Sequence, residues 1–309
     1  MKRILTLLAI VLLLAGLDLL CGGGTVGFAA GAVLFKLRLP RVLTALLSGA
    51  ALSLSGMQMQ AIFRNPLSDP HIMGVSAGAG LGAAIAVVAT AGAGIWLHGI
   101  ALSGAAFAGA TLVSLLIILL SRRIRRPTTL LIAGVMLGFI FSAASSVLQY
   151  TANEESLKLY YSWAAGSFEG SRYGEIGVIA AATVAGILLT LANARGLDII
   201  LFGDDFASLS GADVGRIRIF AMAATCLMTG AVTAFCGPIG FVGIIAPHIA
   251  RRLRGSTAHR KVLPCALLTG SAIALGADIL SRIWPIPLPV GSTMAFIGIP
   301  FIFVILFNK

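Results

Sequence analysis

From Thr128 to Tyr150 the chain reads TTLLIAGVMLGFIFSAASSVLQY, a run without a charged residue, and Arg122, Arg123, Arg125 and Arg126 stand just before it. A helix rises about 1.5 Å per residue, so about 20 apolar residues cross a hydrocarbon core about 30 Å thick. This run is therefore long enough to span a bilayer. The arginines beside it are the flank expected on the cytoplasmic side. The pattern recurs outward in both directions. Spans are expected at 4–21, 40–63, 72–94, 99–121, 128–150, 174–193, 217–236, 240–252, 263–283 and 290–307, the eighth being short.

Composition points the same way. Of 309 residues, 58% are hydrophobic and 11% are charged. A soluble globular domain carries about half apolar and about a quarter charged residues. Disorder needs the opposite bias, low hydrophobicity with high charge. The expected class is all-α: a polytopic membrane protein of about ten transmembrane helices, forming one transmembrane domain over 1–309. An inverted repeat of spans 2–5 and 7–10 fits the echo between Pro70-His71-Ile72 and Pro247-His248-Ile249.

The net charge of +11 reads as topology rather than nucleic-acid binding. With the N-terminus inside, 16 of the 22 lysines and arginines fall in cytoplasmic segments. The other six, Lys36, Arg38, Arg41, Lys158, Arg172 and Arg282, fall outside. Both termini are then cytoplasmic, and Trp96, Trp163 and Trp284 sit at outer boundaries as interfacial anchors. Met1-Lys2-Arg3 followed by Ile4 to Leu20 imitates a secretory signal, but Asp18-Leu19-Leu20 replaces the small residues a cleavage site needs. A first transmembrane helix is expected. Cys21, Cys226, Cys236 and Cys265 lack CxxC spacing and read as small apolar residues.

Ser142, Ser145, Ser146 and Gln149 recur at i, i+3, i+4, i+7, one face of the fifth span. That face meets another helix through hydrogen bonds or walls a polar pathway. Ser55 and Gln58 on the second span are placed toward the same space. Gly74, Gly78 and Gly82, and Gly134 and Gly138, have the small-xxx-small spacing of close helix approach. Gly78 to Ala83 also fits a loose dinucleotide fingerprint, but no strand precedes it.

Charges within spans are few. Asp18 and Asp278 lie near outer ends, and Asp278 and Arg282 are i, i+4 partners. No chain of carboxylates crosses the membrane, which disfavours an ion-gradient-driven secondary transporter, the alternative reading. His71, His98, His248 and His259 lack metal-ligand spacing, and neither HExxH nor GxSxG occurs. No catalytic or metal site is expected. Without GxxxxGK[ST] the chain has no P-loop of its own.

Two cytoplasmic segments are distinctive. Arg64-Asn65-Pro66-Leu67-Ser68-Asp69-Pro70 carries two prolines that impose an ordered turn. In 203–218, Asp204 is expected to cap a short helix, Gly211 to end it and Asp213 to start a second. Short helices there suit docking to a soluble partner.

Taken together these stretches resemble the permease subunits of type II ABC importers, the family that takes up iron–siderophore chelates, haem and vitamin B12. The resemblance rests on Arg38-Leu39-Pro40-Arg41, Ser55-Gly56 with Gln60, Asn65 to Pro70 running on to Gly78, and Leu131 to Gly138. It continues through Gly237 to Gly243, Pro247 to Arg252, Asp278 to Arg282, and Leu288 to Phe301. It implies a vitamin B12 permease-like fold in the bacterial or archaeal inner membrane. It also implies a homodimer or a pair with a close paralogue, and two ATP-binding cassette subunits that hold ATP and Mg. A soluble or lipid-anchored binding protein would deliver the substrate. By resemblance, Arg38, Arg41 and Arg282 dock the binding protein. Asn65, Leu67, Thr128 and Thr129 form the cytoplasmic gate. Asp204, Asp205, Phe206, Leu209, Gly211 and Asp213 couple to the ATPase. Gly203-Asp204-Asp205 and Leu209-Ser210-Gly211 depart from the family's usual Gly-Glu and Leu-Gly. An iron–siderophore complex is the expected substrate, ahead of haem or vitamin B12.

Overall fold

The computed structural model describes residues 2–22, 25–26, 31–91, 95–124, 126–284 and 286–307. Arg125 and Lys309 and the side chains of Cys21, Trp96 and His98 lie outside the described residues. Among the described residues the fold is all-helical apart from one antiparallel bridge that pairs Cys21 with Val26 and Gly22 with Thr25. The helices, numbered here, are α1 (Lys2–Leu20), α2 (Leu39–Phe63), α3 (Val75–Ala89), α4 (Ile95–Arg123), α5 (Pro127–Thr151) and α6 (Glu154–Ala164). They continue as α7 (Tyr173–Ile200), α8 (Asp204–Leu209), α9 (Val214–Cys236), α10 (Val242–Arg254), α11 (His259–Arg282) and α12 (Val290–Phe307).

Each of the ten expected spans falls on one of these helices. Seven of the described helices are long and apolar enough to cross a membrane, and α3 and α12 are shorter apolar helices. The tenth, α10, is shorter still, with 13 residues. Helix α8 is the short helix expected in 203–218, and α6 is an addition. The polar stretch 151–173 was expected only as an outer connection. Instead Asn153 caps α6 by accepting from Ser156 N at 2.8 Å, with Glu154 and Glu155 in the first turn. Those are ordinary helix-start signals, present in the sequence.

Helix α2 is the hub, nearly all buried and enclosed by α7, α9, α10 and α11. Lipid supplies no hydrophobic drive between helices, so association depends on close packing and interhelical hydrogen bonds. Both occur here. Gly49 of α2 lies against the Gly270 backbone of α11, and Ser53 Oγ donates to Ala266 O at 2.7 Å. The spaced glycines serve two different contacts. Gly78 and Gly82 let α3 approach α4 at Gly109 and Ala105, while Gly74 packs on Gly134 and Gly138 of α5.

Two irregular segments meet inside the bundle. Residues 64–74 run from the end of α2 into α3, and 237–241 join α9 to α10. His71 links them, with Nε2 2.8 Å from Ile239 O and Nδ1 bonded to Ser76 Oγ. Non-helical backbone at membrane depth is tolerated where protein encloses it. The 167–171 connection closes the same region from the other side. Ser167 N donates to Cys236 O at 2.8 Å, and Phe168 is fully buried. Trp163 belongs to this seal. It was expected as an interfacial anchor, yet its indole donates to Ala234 O at 3.1 Å. Trp284 is exposed.

Candidate functional site: two polar ends and a polar stripe

One end of the bundle gathers Arg38, Arg41, Glu169, Arg172 and Arg282 around a shared cavity. The opposite end gathers Arg64, Asn65, Leu201, Arg251, Thr257 and His259. Arg3 joins the second end by donating to Leu253 O. The two sets follow the alternation expected from the sequence.

At the first end the charges are mostly internal. Asp278 is fully buried on α11. Arg41 Nε donates to both its carboxylate oxygens, at 3.0 and 2.9 Å, and Arg41 Nη2 donates to Oδ1 at 2.9 Å. Arg282 Nη2 donates to Asp278 Oδ2 at 2.9 Å and pairs with the buried Asp18 of α1. A carboxylate in an apolar setting is retained only when paired this way. The i, i+4 pairing of Asp278 with Arg282 is therefore present, and Asp18 and Arg41 complete it across three helices. Arg282 is 5% exposed, so the guanidinium faces these partners rather than the surface. Arg38 is half-buried and donates to Leu19 O and Leu20 O at 2.8 and 3.1 Å. Arg41 also reaches toward the rim, with Nη1 3.2 Å from the exposed Glu169, and Lys36 and Arg172 of the same cavity are exposed.

The stripe on α5 divides. Ser145 is buried, 3.3 Å from Tyr160 Oη of α6, and accepts from Gln149 Nε2 at 2.9 Å. Ser142 and Ser146 are exposed, with Ser146 bonded back to Ser142 O. They share the outward surface with Phe139, Ile140, Val147 and Tyr150. Ser55 and Gln58 belong elsewhere. Both are fully buried in α2. Ser55 lies two turns beyond Ser48, which meets Cys236 of α9 at 3.6 Å, so it faces the interior seam rather than the exposed stripe.

At the second end, Asn65 Oδ1 accepts from Leu67 N at 3.0 Å, the side-chain turn that Asn-Pro sequences favour. Arg64 takes a left-handed conformation at φ 48°, which turns the chain out of α2. Thr128 and Thr129 are exposed in the first turn of α5. Gln60, quoted for the resemblance but given no role, ties α2 to α10. Its amide donates to Gly243 O at 3.0 Å and its carbonyl accepts from Arg251. A glutamine in a buried helix face was the available signal.

The 203–218 segment forms one short helix and the start of a long one. Gly203, at φ 113°, precedes α8, and Asp204 is its first residue rather than its cap. Asp204 pairs instead with Arg218, which is nearly fully buried on α9. Gly211, at φ 78°, ends the turn, and Asp213 caps α9 by accepting from Arg216 N at 3.0 Å. Asp205 and Phe206 are exposed, and Leu209 is 89% exposed. Leaving apolar side chains on a short, well-anchored helix fits a protein-docking surface.

Helices long and apolar enough to cross a bilayer, with buried ion pairs at one end of the bundle and the exposed, anchored α8 at the other, are the build of a multi-pass membrane protein. The chain belongs to the FecCD transport family, whose model matches residues 4–308. It is 36% identical over 312 residues to the vitamin B12 import system permease protein BtuC of Klebsiella pneumoniae, covering 99% of this chain and 93% of the relative. It is 35% identical over 281 residues to the cobalamin import system permease protein BtuC of Halobacterium salinarum, covering 91% and 74%. Among solved structures it resembles an inward-facing conformation of a protein described as a metal-chelate type ABC transporter. The TM-score is 0.87 at 29% identity, over 100% of this chain and 99% of the other. As a multi-pass permease of this family, the chain works with separate ATP-hydrolysing subunits and a substrate-binding protein.

Proposed function

We propose that this chain carries a bulky metal chelate through a dimer of permease subunits, with cobalamin as first substrate. Cobalamin takes precedence over the iron–siderophore complex expected from the sequence, because both relatives described above import it. The observation that carries the transport reading is the anchored α8 with Phe206 and Leu209 projecting from it. In this reading α8 seats in the ATPase, and both termini are cytoplasmic. The exposed stripe of Ser142 and Ser146 on α5 faces the second subunit across the path. Weakly polar walls suit release, since a tight site would retain the cargo. Asn65, Leu67, Thr128 and Thr129 close the path at the α8 end, and Arg41 with Glu169 forms part of the rim that receives the binding protein.

The test is ATP-driven uptake into vesicles holding this permease and its ATPase. Labelled cyanocobalamin and a ferric siderophore are each supplied with the binding protein. Cobalamin accumulation that stops without ATPase supports the proposal. Accumulation of the ferric siderophore alone reassigns the cargo. Uptake that needs an ion gradient and ignores ATP removes the proposal.

A further inference from the structure

The groove between α7 and α9 serves none of the roles above. Its walls are Ala192, Asn193, Gly196 and Ile199 on α7 and Ile217 and Phe220 on α9, with Asn193 Nδ2 donating to Ile217 O at 2.8 Å, and Ala212 and Asp213 lie at its mouth. It encloses about 490 Å³, the size of a small-molecule site. It opens sideways, because Leu188 and Leu191, just before it on α7, are exposed as lipid-facing side chains are.

The mouth is basic. Arg216 is exposed, and its guanidinium carbon lies 5.7 Å from the Phe220 ring centroid. Arg195 is exposed next to the groove residue Gly196. Three of the nearby acids are engaged. Asp213 caps α9, Asp204 pairs with Arg218, and Asp198 holds His259 at 2.6 Å. A mainly apolar slot lined by the exposed Arg216, with the exposed Arg195 one residue from its wall, at the end of a membrane bundle, matches the shape and charge of a phospholipid. Basic pockets between membrane helices take anionic headgroups, and the planar guanidinium fork suits phosphate oxygens.

We propose that this groove binds one anionic phospholipid from the leaflet at the α8 end. The phosphate lies between Arg216 and Arg195, and an acyl chain lies along Ala192, Gly196 and Phe220. The site touches Ala212 and Asp213, the link between α8 and α9, so an occupied groove braces the docking helix. The assignment needs only that the chain spans a bilayer, and it is independent of the cargo.

The experiment is native mass spectrometry of the detergent-purified permease–ATPase complex. It is supplied with phosphatidylglycerol or with phosphatidylcholine of matched chains. The expected result is one retained phosphatidylglycerol per permease, at least ten-fold over phosphatidylcholine. Arg195→Gln with Arg216→Gln should remove that preference. Ala192→Trp, at an exposed position, should fill the slot and displace both lipids, whereas Leu188→Trp outside it should displace neither. Equal retention of the two lipids by the unaltered complex overturns the proposal. So does undiminished phosphatidylglycerol in the double-glutamine variant, or its displacement by millimolar inorganic phosphate alone.

Discussion

Arg218 of α9 reaches back to the carboxylate of Asp204, the first residue of α8, and joins the two helices by charge. The arginine side chain is 3% exposed and the aspartate 27% exposed. A negative charge in the first turn also complements the helix dipole. Two further ties hold the same corner. Ala212 N donates to Ala207 O at 2.9 Å, and Asp213 caps α9. Helix α8 is therefore a lever fixed to α9, and α9 packs in the core against α2 and α4. In the proposed transport reading, a push on Phe206 or Leu209 would pass through α9 to the interior.

Cutting the lever at its root should separate docking from transport. Asp204→Asn replaces an ion pair with a bond from the Arg218 guanidinium to a neutral amide, a loss of about 1.5–3 kcal/mol. Phe206 and Leu209 are untouched, so the ATPase still binds. Substrate carried per ATP hydrolysed should fall several-fold in reconstituted vesicles. An unchanged ratio would show that the pair transmits nothing.

The docking surface itself makes a different prediction. Leu209 is almost fully exposed, so Leu209→Asp disturbs no packing within the subunit. It places a charge where an apolar side chain should enter the partner. Co-purification of the ATPase should drop at least ten-fold, while the permease elutes unchanged from a sizing column. Retained ATPase would move the contact away from α8.

What the sequence made legible follows from the kind of signal involved. Span existence depends on long uncharged runs, and all ten runs fall on helices. Asp213 and Gly211 were readable because capping and left-handed turns are local chemistry. Asp204 was misplaced by one residue because its partner, Arg218, is fourteen positions away and buried. Periodicity put Ser142, Ser145, Ser146 and Gln149 on one face, but it cannot tell which edge of that face a neighbour covers. Tyr160, from the unforeseen α6, covers Ser145. Arg282 was assigned to binding-protein docking by resemblance, and its place in an outer segment agreed. Asp18, from the far end of the chain in sequence, draws it inward.

That buried cluster predicts a stability effect distinct from any docking role. Asp278 accepts from both Arg41 and Arg282. Asp278→Asn leaves two arginines facing one less negative charge at an enclosed site. Breaking a buried pair typically costs about 3–5 kcal/mol. The thermal midpoint of the purified protein should fall by several degrees, and Lys36→Ala at an exposed position of the same end should not move it. The same logic complicates Arg41→Glu, which would set a carboxylate beside Asp278 and Glu169. Lost binding-protein docking in that variant is informative only if its midpoint is preserved. An unaltered midpoint in Asp278→Asn would mean that the cluster is solvated in the native protein.

The closest helix approach tests the packing argument most directly. A Cβ on Gly56 of α2 would lie 1.9 Å from Gly243 O of α10. That atom is backbone, fixed between Phe241 and the helix it opens, and it also accepts from Gln60. It cannot swing aside as a flexible side chain would. Gly56→Ala should therefore push α10 off α2, break the Gln60 contact and cost more than about 3 kcal/mol, in the range of strong overpacking. Gly276 on α11 is the control, because a Cβ there meets nothing within 4 Å. Gly276→Ala should hold or raise stability by about 0.5–1 kcal/mol through reduced backbone entropy of the unfolded chain. The readout is the thermal midpoint of each variant by size-exclusion recovery after heating. Equal midpoints for the two would show that the α2–α10 contact is loose.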